Sequence, residues 1–575
     1  MRDVLRVGNA SGFYGDRLSA VQEVLEGGEL DVLTGDYLAE LTMLILGRDQ
    51  LKDAGLGYAK TFLTQMRDQL ALARSRGVAV VANAGGLNPA GLAAALHEVD
   101  PRARVAHVEG DDLRGRTDEL GLGGSAYGDP LTANAYLGCW GIAAALDAGA
   151  DVVVTGRVTD ASLVVGAAAA HFGWSRESYD ALAGATVAGH VLECGTHATG
   201  GNYCFLDEID PEAGSVLPGF PLAEVGDDGS SVITKHPGTG GTVSVGTVTA
   251  QLLYEIGSPR YIGPDVVSRF DTIDLGPDGA DRVRITGVRG EPPPPTLKVG
   301  LNHLGGFRNQ AEFVLTGLDV EAKAARVQAQ LGATLRDLSD LQPVWTLART
   351  DHHDPDTQER SSARLRCQVR SPDAKAVGRR FSRAVVELGL SSYAGFHLTS
   401  LPGDASPYGV FSHAYVEQDV VEHTAVLADG TRVAVDPPKR TEPVAPMGRL
   451  PLPEPLPPGP CERVPLGRLV GARSGDKGGD ANLGLWVRDR DDGRVEAAWR
   501  WLAHFVTPAR VRALLPEAAG LPVTVHLLPN LRAVNVMIEG LLGAGVAAST
   551  RFDPQAKALG EWLRARDVDV PEVLL

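Results

Sequence analysis

The sequence holds few cysteines, few aromatic residues and no long apolar run. Five cysteines (Cys139, Cys194, Cys204, Cys367 and Cys461) are scattered over 575 residues. An odd, widely spaced set suits a reducing cytoplasm better than a disulfide framework. Apolar runs such as 152–154 and 167–170 fall far short of the roughly 18–20 residues that a membrane span needs. The N-terminus, Met1-Arg2-Asp3-Val4, has an early acid and no apolar stretch of signal-peptide length. Positive charge is also scarce: 54 Lys plus Arg face 72 Asp plus Glu, a net of −18. That balance argues against a broad nucleic-acid or anionic-membrane surface, and leaves room for a local phosphate pocket. The expectation is a cytoplasmic protein with a small-molecule ligand, no nucleic acid and no membrane partner. A homo-oligomer is compatible with it.

Glycine and proline are what the chain has in quantity. Ten of the 36 prolines fall within the 24 residues 437–460, a density that cannot feed a helix or central strand. Residues 437–463 are therefore expected to be a linker. It precedes a compact unit at 464–550 and a C-terminal extension at 551–575. Residues 1–225 alternate short β-branched runs with amphipathic segments. Strands are expected at 4–8, 30–34, 78–82, 105–109 and 151–155. Helices are expected at 16–26, 37–46, 58–76, 89–98, 132–147 and 161–171. This alternation predicts an α/β lobe with a mostly parallel sheet covered on both faces. Near-continuous apolar strands such as Val78-Ala79-Val80-Val81 fit that picture. Residues 226–436, rich in Gly and Thr with a helical stretch at 320–331, predict an α+β second lobe packed on the first. The C-terminal unit orders as strand 464–472, Gly-rich loop, strand 481–488, helix 508–515 and strands 523–528 and 533–538. That order suits a small ferredoxin-like α+β sandwich.

In parallel α/β sheets, ligands bind beyond the carboxyl ends of the strands. The five strand-end turns are accordingly the informative places. They carry Asn9-Ala10-Ser11-Gly12, Gly35-Asp36-Tyr37, Asn83-Ala84-Gly85-Gly86-Leu87-Asn88, Glu109-Gly110-Asp111 and Gly156-Arg157-Val158-Thr159-Asp160. Asp36 and Glu109 are candidate general bases, Asn83 and Asn88 candidate polarising donors, and Asn9 and Ser11 candidate substrate contacts. Arg157 suits bidentate binding of a carboxylate or phosphate. Each also has a structural reading: Asn88 before Pro89 makes a good N-cap, and Arg157 could serve only an ion pair with Asp160 or Asp36.

Three further clusters stand out. His190, Glu193, Cys194 and His197 lie within eight residues, but their spacing matches no strong zinc pattern, and no metal is expected. Lys235 followed by Gly238-Thr239-Gly240-Gly241 could present N–H groups to an anion. It equally suits a turn between strands. Arg473-Ser474-Gly475-Asp476-Lys477-Gly478-Gly479-Asp480 could do the same, or form a plain hairpin. No G-x-G-x-x-G fingerprint occurs at a strand end, so no NAD or FAD is expected.

Several segments together carry a resemblance: RVGNASGFYGDR, TGDYLAELTM, VVANAGGLNP, VTGRVTDASL, ECGTHATGGNY, KHPGTGG followed by QLLYEI, and SGDKGGDANLG. The chain resembles the acyclic terpene utilisation protein A family, in that family's domain order, over about residues 4–550. That implies a large N-terminal domain, formerly of unknown function, followed by a ferredoxin-like domain. It also implies a setting in which branched acids from acyclic terpenes are handled as coenzyme A thioesters. No catalytic assignment comes with it. The expected function is a catabolic enzyme acting on a branched acyl-CoA or its acid by addition, elimination or hydrolysis next to a carbonyl. Coenzyme A would enter only as part of the substrate, with Lys235, Gly240, Gly241, Ser474 and Lys477 as candidate phosphate contacts. The alternative is a non-catalytic binding or assembly protein of an acyl-CoA pathway.

Overall fold

A computed structural model of the chain describes residues 3–209, 216–338, 340–448, 450–490 and 492–575. The five apolar runs become parallel neighbours in the order Val4–Asn9, Val32–Gly35, Ala79–Ala82, Val152–Thr155, Val105–Glu109. Alternate side chains enter two separate cores. Leu33, Val80 and Val152 meet the helices Ala20–Gly27, Lys60–Ser75 and Pro89–Val99. Val32, Val81 and Val153 meet Trp140–Asp147, Ser162–Phe172 and Tyr179–Glu193. Burial on both faces is why these strands are apolar throughout rather than alternating.

The loops after Ala79–Ala82 and Val152–Thr155, neighbours in the sheet, lead to helices on opposite faces. Divergence of adjacent loops opens a crevice at the strand ends. The chain skips a place when it lays down Val105–Glu109 and returns to fill it, which reverses the strand order there.

The sheet as a whole is mixed, which corrects the expectation of a mostly parallel one. Of its eleven strands, Pro221–Gly226, Ser231–Lys235, Val283–Thr286 and Asp274–Pro277 extend one edge antiparallel. Thr424–Val426 and Arg432–Ala434 extend the other. The physical reason is connection length. The Pro221–Gly226 and Ser231–Lys235 strands are joined by a tight turn through Gly229 (φ +81°), too short for the crossover a parallel pair requires.

A second, six-stranded sheet is built around Thr296–Thr316. Its register shifts between Leu304 and Gly306, where Gly306 takes φ +120°. Helices Val320–Thr334 and Phe381–Glu387 cover one side of it. The expected helix 132–147 divides. Thr132–Ala135 is a strand paired with residues 299–302, and the helix starts only at Trp140, beyond Gly138.

The C-terminal unit is a four-stranded antiparallel sheet of Val470–Lys477, Asp480–Val487, Ala533–Ile538 and Val523–Leu528 in spatial order. Helices Val495–Phe505 and Pro508–Leu514 cover one face. The first of these, carrying Trp499 and Trp501, was not expected from the sequence. The other face docks on the N-terminal region: Trp486 stacks on Tyr203, and Arg488 pairs with Asp207 and Glu208 at 2.5 and 2.6 Å. Buried Asn482 and Asn535 hold the loop at 255–257 by its backbone, through Glu255 N, Ile256 O and Gly257 O. The proline-rich segment is tied to the surface, with Arg260 bonding Ala445 O and His504 bonding Pro453 O.

Candidate active site in the interdomain crevice

The floor of the crevice is polar and buried. Asp36, Asn83 and Arg157 have 6%, 0% and 4% of their surface exposed. Asn83 Nδ2 donates to Asp36 Oδ1 at 2.5 Å, while its Oδ1 accepts from Tyr37 N at 2.7 Å. Leu38 N donates to the same carboxylate oxygen at 3.2 Å. Ser11 fixes the Asp36 backbone from both directions, its carbonyl accepting from Asp36 N and its hydroxyl donating to Asp36 O. Asn9 donates to Leu192 O at 2.5 Å and so ties the first strand to the end of the Tyr179–Glu193 helix. Asn9 and Ser11 thus frame the floor rather than face it.

Arg157 lies over the Tyr136 ring at 4.3 Å and donates to Asp160 at 2.7 Å and Leu38 O at 3.2 Å. Burial works against its charge, but Asp160, Tyr136, Asp36 and Glu40 outweigh that and keep it cationic. Asp36 has the opposite balance. Burial, then repulsion from Asp160, pushes its carboxyl well above the usual range despite Arg157 and Asn83. Glu193 is raised in the same way, by burial and then by Asp160 and Glu255.

The walls are different in character. Asp160, Glu40 and Lys298 keep side-chain exposures of 28%, 27% and 30%. Exposure of that order lets water reach these groups, unlike the floor. Burial disfavours the Glu40 charge, but Lys298 and Arg157 together hold its carboxyl below the usual range. The C-terminal domain closes the crevice from above. Lys477 Nζ donates to Glu255 O at 2.7 Å, and its surroundings, then Lys298, push its ammonium below the usual lysine range. Lys557 reaches the Tyr254 hydroxyl, with Glu255 at 3.4 Å and Asp476 at 3.7 Å.

Beside the floor sits a second set of buried groups. His190 Nδ1 is 3.0 Å from Glu193 Oε1, and its ring packs on Tyr261 and Phe270. His190 Nε2, Glu193 Oε2 and Gln251 Oε1 are buried without a hydrogen-bond partner. Burial, then Lys477, lowers His190 to about 4, so the ring is neutral. Orphaned groups of this kind are costly unless a ligand or water meets them. His197 is directed elsewhere, to Arg473 at 2.9 Å and Asn202 at 2.6 Å. Among the described residues no group of three or more His, Cys, Asp or Glu side chains is placed to hold a metal ion.

Of the residues singled out in the sequence, the fold brings together Asp36, Asn83, Arg157 and Lys477. It does not bring in the others. Glu109 is part-exposed and pairs with Arg432 and with His107 at 3.4 Å. Asn88 caps its helix by accepting from Gly91 N at 2.9 Å. Lys235 pairs with Asp281 at 3.0 Å and Thr239 O at 2.8 Å, beside a cleft of about 570 Å³ that is not the crevice. Gly240 and Gly241 form the turn next to it, bridged to Pro218. Ser474 donates to Ala556 O and accepts from Gly560 N inside the C-terminal domain. The 473–482 loop is a hairpin turning at Gly478-Gly479, with Lys477 opposite Asp480.

The residues missed were Tyr136, Lys298, Glu255 and Lys557. Asp111, in a strand-end turn, and Glu40, one helical turn beyond Asp36, were legible as crevice groups but were given no role. Asp111 is 2% exposed, accepts from Arg157 N and Asn134 Nδ2 at 2.7 Å each, and is pushed up to about 7 by burial. Because an unfolded aspartate ionises near 3.9, the native state holds the extra proton between those values. Its share of stability therefore falls as pH climbs from about 4 to 7. Asp111→Asn is expected to flatten the decline of Tm over that interval, measured by calorimetry at stepped pH.

Two family matches account for this architecture. Residues 5–427 match the acyclic terpene utilisation family protein AtuA, and residues 464–569 match the AtuA ferredoxin-like domain. The chain belongs to the acyclic terpene utilisation protein A family. The second match covers the sheet that carries Lys477 and the helix that follows Lys557, so the crevice of this family member is walled by both domains. No curated protein matches the chain. Among the described residues, no helix is long and apolar enough to cross a membrane.

Proposed function

We propose that this family member is an enzyme acting on a branched acyl-CoA thioester or its free acid, by addition or elimination next to the carbonyl. The carrying observation is that a buried guanidinium, Arg157, and a buried carboxyl, Asp36, stand at the ends of strands flanking Ala79–Ala82, whose own end carries Asn83, in a water-accessible crevice. Arg157 would hold the carbonyl or carboxylate oxygen and stabilise the negative charge that develops there. Asp36, whose carboxyl burial and then Asp160 hold well above the usual range, is the proton donor to the carbon next to the carbonyl. In the addition direction water adds its oxygen to the β carbon, Asp36 gives its proton to the α carbon, and water's proton restores Asp36. Elimination runs the same steps in reverse. Glu193 and neutral His190, with their orphaned atoms, offer the polar contacts that would position such a water.

The test is solvent exchange. The protein is incubated with branched acyl-CoA thioesters in D2O, and deuterium at the α carbon is followed by mass spectrometry. Enzyme-dependent incorporation, absent in Asp36→Asn, supports the reading. No incorporation with any branched or straight thioester contradicts it.

A further inference from the structure

We propose that Arg308, Arg366 and Arg370 form a second anion site, outside the crevice, that takes a phosphate- or diphosphate-bearing ligand. The three belong to adjacent strands of the six-stranded sheet. Arg308 on Thr296–Thr316 stands directly opposite Arg370 on Ser362–Ser371, and Arg366 lies four residues along that strand on the same face. Like charges directly opposite each other destabilise an antiparallel pair. In a chain whose net charge is −18, acids to neutralise them are abundant. None does so among the described residues. Glu312, opposite Arg366 in register, reaches Arg364 at 3.8 Å, and Glu517 pairs with Arg551.

What the three arginines meet is backbone of the C-terminal domain. Arg308 Nη1 donates to Ala547 O at 2.8 Å, Arg366 Nη2 to Thr550 O at 3.3 Å, and Arg370 to Ala548 O. A guanidinium carries five N–H groups in a planar fork, so one bond apiece leaves most donors free. Each side chain is half-buried, which weakens competition from water. The Tyr408 ring lies 5.2 Å beneath Arg370 and supports it from one side. Burial, then the neighbouring Arg370, pushes Arg308 below the usual arginine range, so repulsion between the pair is not relieved by the protein itself. Forked donors of this kind match phosphate oxygens bidentately. An anion here would neutralise the cross-strand pair and bridge the sheet to the 547–550 segment.

Nothing in this argument depends on the reaction in the crevice. The test is calorimetric titration of the full chain at low salt with inorganic diphosphate, and separately with CoA and dephospho-CoA. Binding of diphosphate or CoA is expected, weakened roughly tenfold or more in Arg308→Gln and Arg370→Gln, the scale of one charge-assisted bond. Arg308→Lys, which keeps the charge, is expected to lose less, and Arg157→Gln to leave diphosphate binding unchanged. Tighter binding of CoA than of diphosphate identifies the phosphates as part of a larger ligand, and equal binding identifies free diphosphate. The proposal is overturned if neither anion binds the unmodified chain, or if the Arg308 and Arg370 variants bind as tightly as it does.

Discussion

Replacing Arg157 with glutamine is expected to weaken acyl-ligand binding strongly and to destabilise the fold by about 3 kcal/mol. That figure is the lower end for stranding one partner of a buried ion pair. The lower end applies because Asp160 keeps contact with crevice water at 28% exposure. Arg157 also covers the Tyr136 ring, and both that packing and the bond to Leu38 O are lost with it. Its backbone bond to Asp111 remains, so the strand end itself is preserved. Affinity for a carboxylate or thioester ligand should fall by roughly a hundredfold, the scale of charge-assisted hydrogen bonds. Arg157→Lys should recover much of the stability and little of the affinity, since an ammonium cannot reproduce the planar fork. Thermal melting and titration calorimetry on the same preparations separate the two effects.

Asp36→Asn is expected to move activity and stability in opposite directions. Removing a proton donor should lower turnover by about 10²–10⁴-fold while leaving ligand binding in place. Stability follows from linkage. The folded Asp36 carboxyl is held well above its usual range by burial and Asp160, and the unfolded one ionises near 3.9. Between those values the native state binds more protons, so stability falls as pH rises until the folded value is passed. Asparagine cannot ionise, and its oxygen can still accept from Asn83 and Leu38 N. The variant should therefore gain in melting temperature over the parent as pH rises above about 4, with the difference closing towards that pH. A gain in stability on losing function is expected where a site holds a group against its preference.

How far this was legible in the sequence depended on where each signal lay. The parallel core was readable because strands buried on both faces are apolar throughout, as Val78-Ala79-Val80-Val81 are. Asp36, Asn83 and Arg157 were readable because they immediately follow such strands. The antiparallel edges were not, since strands as short as Thr424–Val426 and Arg432–Ala434 carry no pattern that says which sheet they join. Lys298 lies early in a 21-residue strand and nothing local distinguishes it. Its place in the crevice follows from pairing of that strand with Thr132–Ala135, a segment whose apolar content read as helix. Glu255 and Lys557 come together only because the C-terminal sheet docks through Asn482 and Asn535. Asn535 is a polar residue in an otherwise apolar strand, but its partner is a loop nearly 280 residues away, which no spacing rule reaches.

The central claim is that the Asp36–Arg157 crevice holds an acyl ligand. The most direct measurement is thermal stabilisation of the purified chain by branched and straight acyl-CoAs, free CoA and the corresponding acids, alongside Arg157→Gln. A ligand at 100 times its Kd should stabilise the fold by about 2.7 kcal/mol. The account predicts a shift with the branched acids, and a shift with branched acyl-CoAs beyond that of free CoA, that Arg157→Gln removes and Asp36→Asn keeps. Acyl-dependent shifts that survive in Arg157→Gln, or none with any acyl ligand, would contradict it.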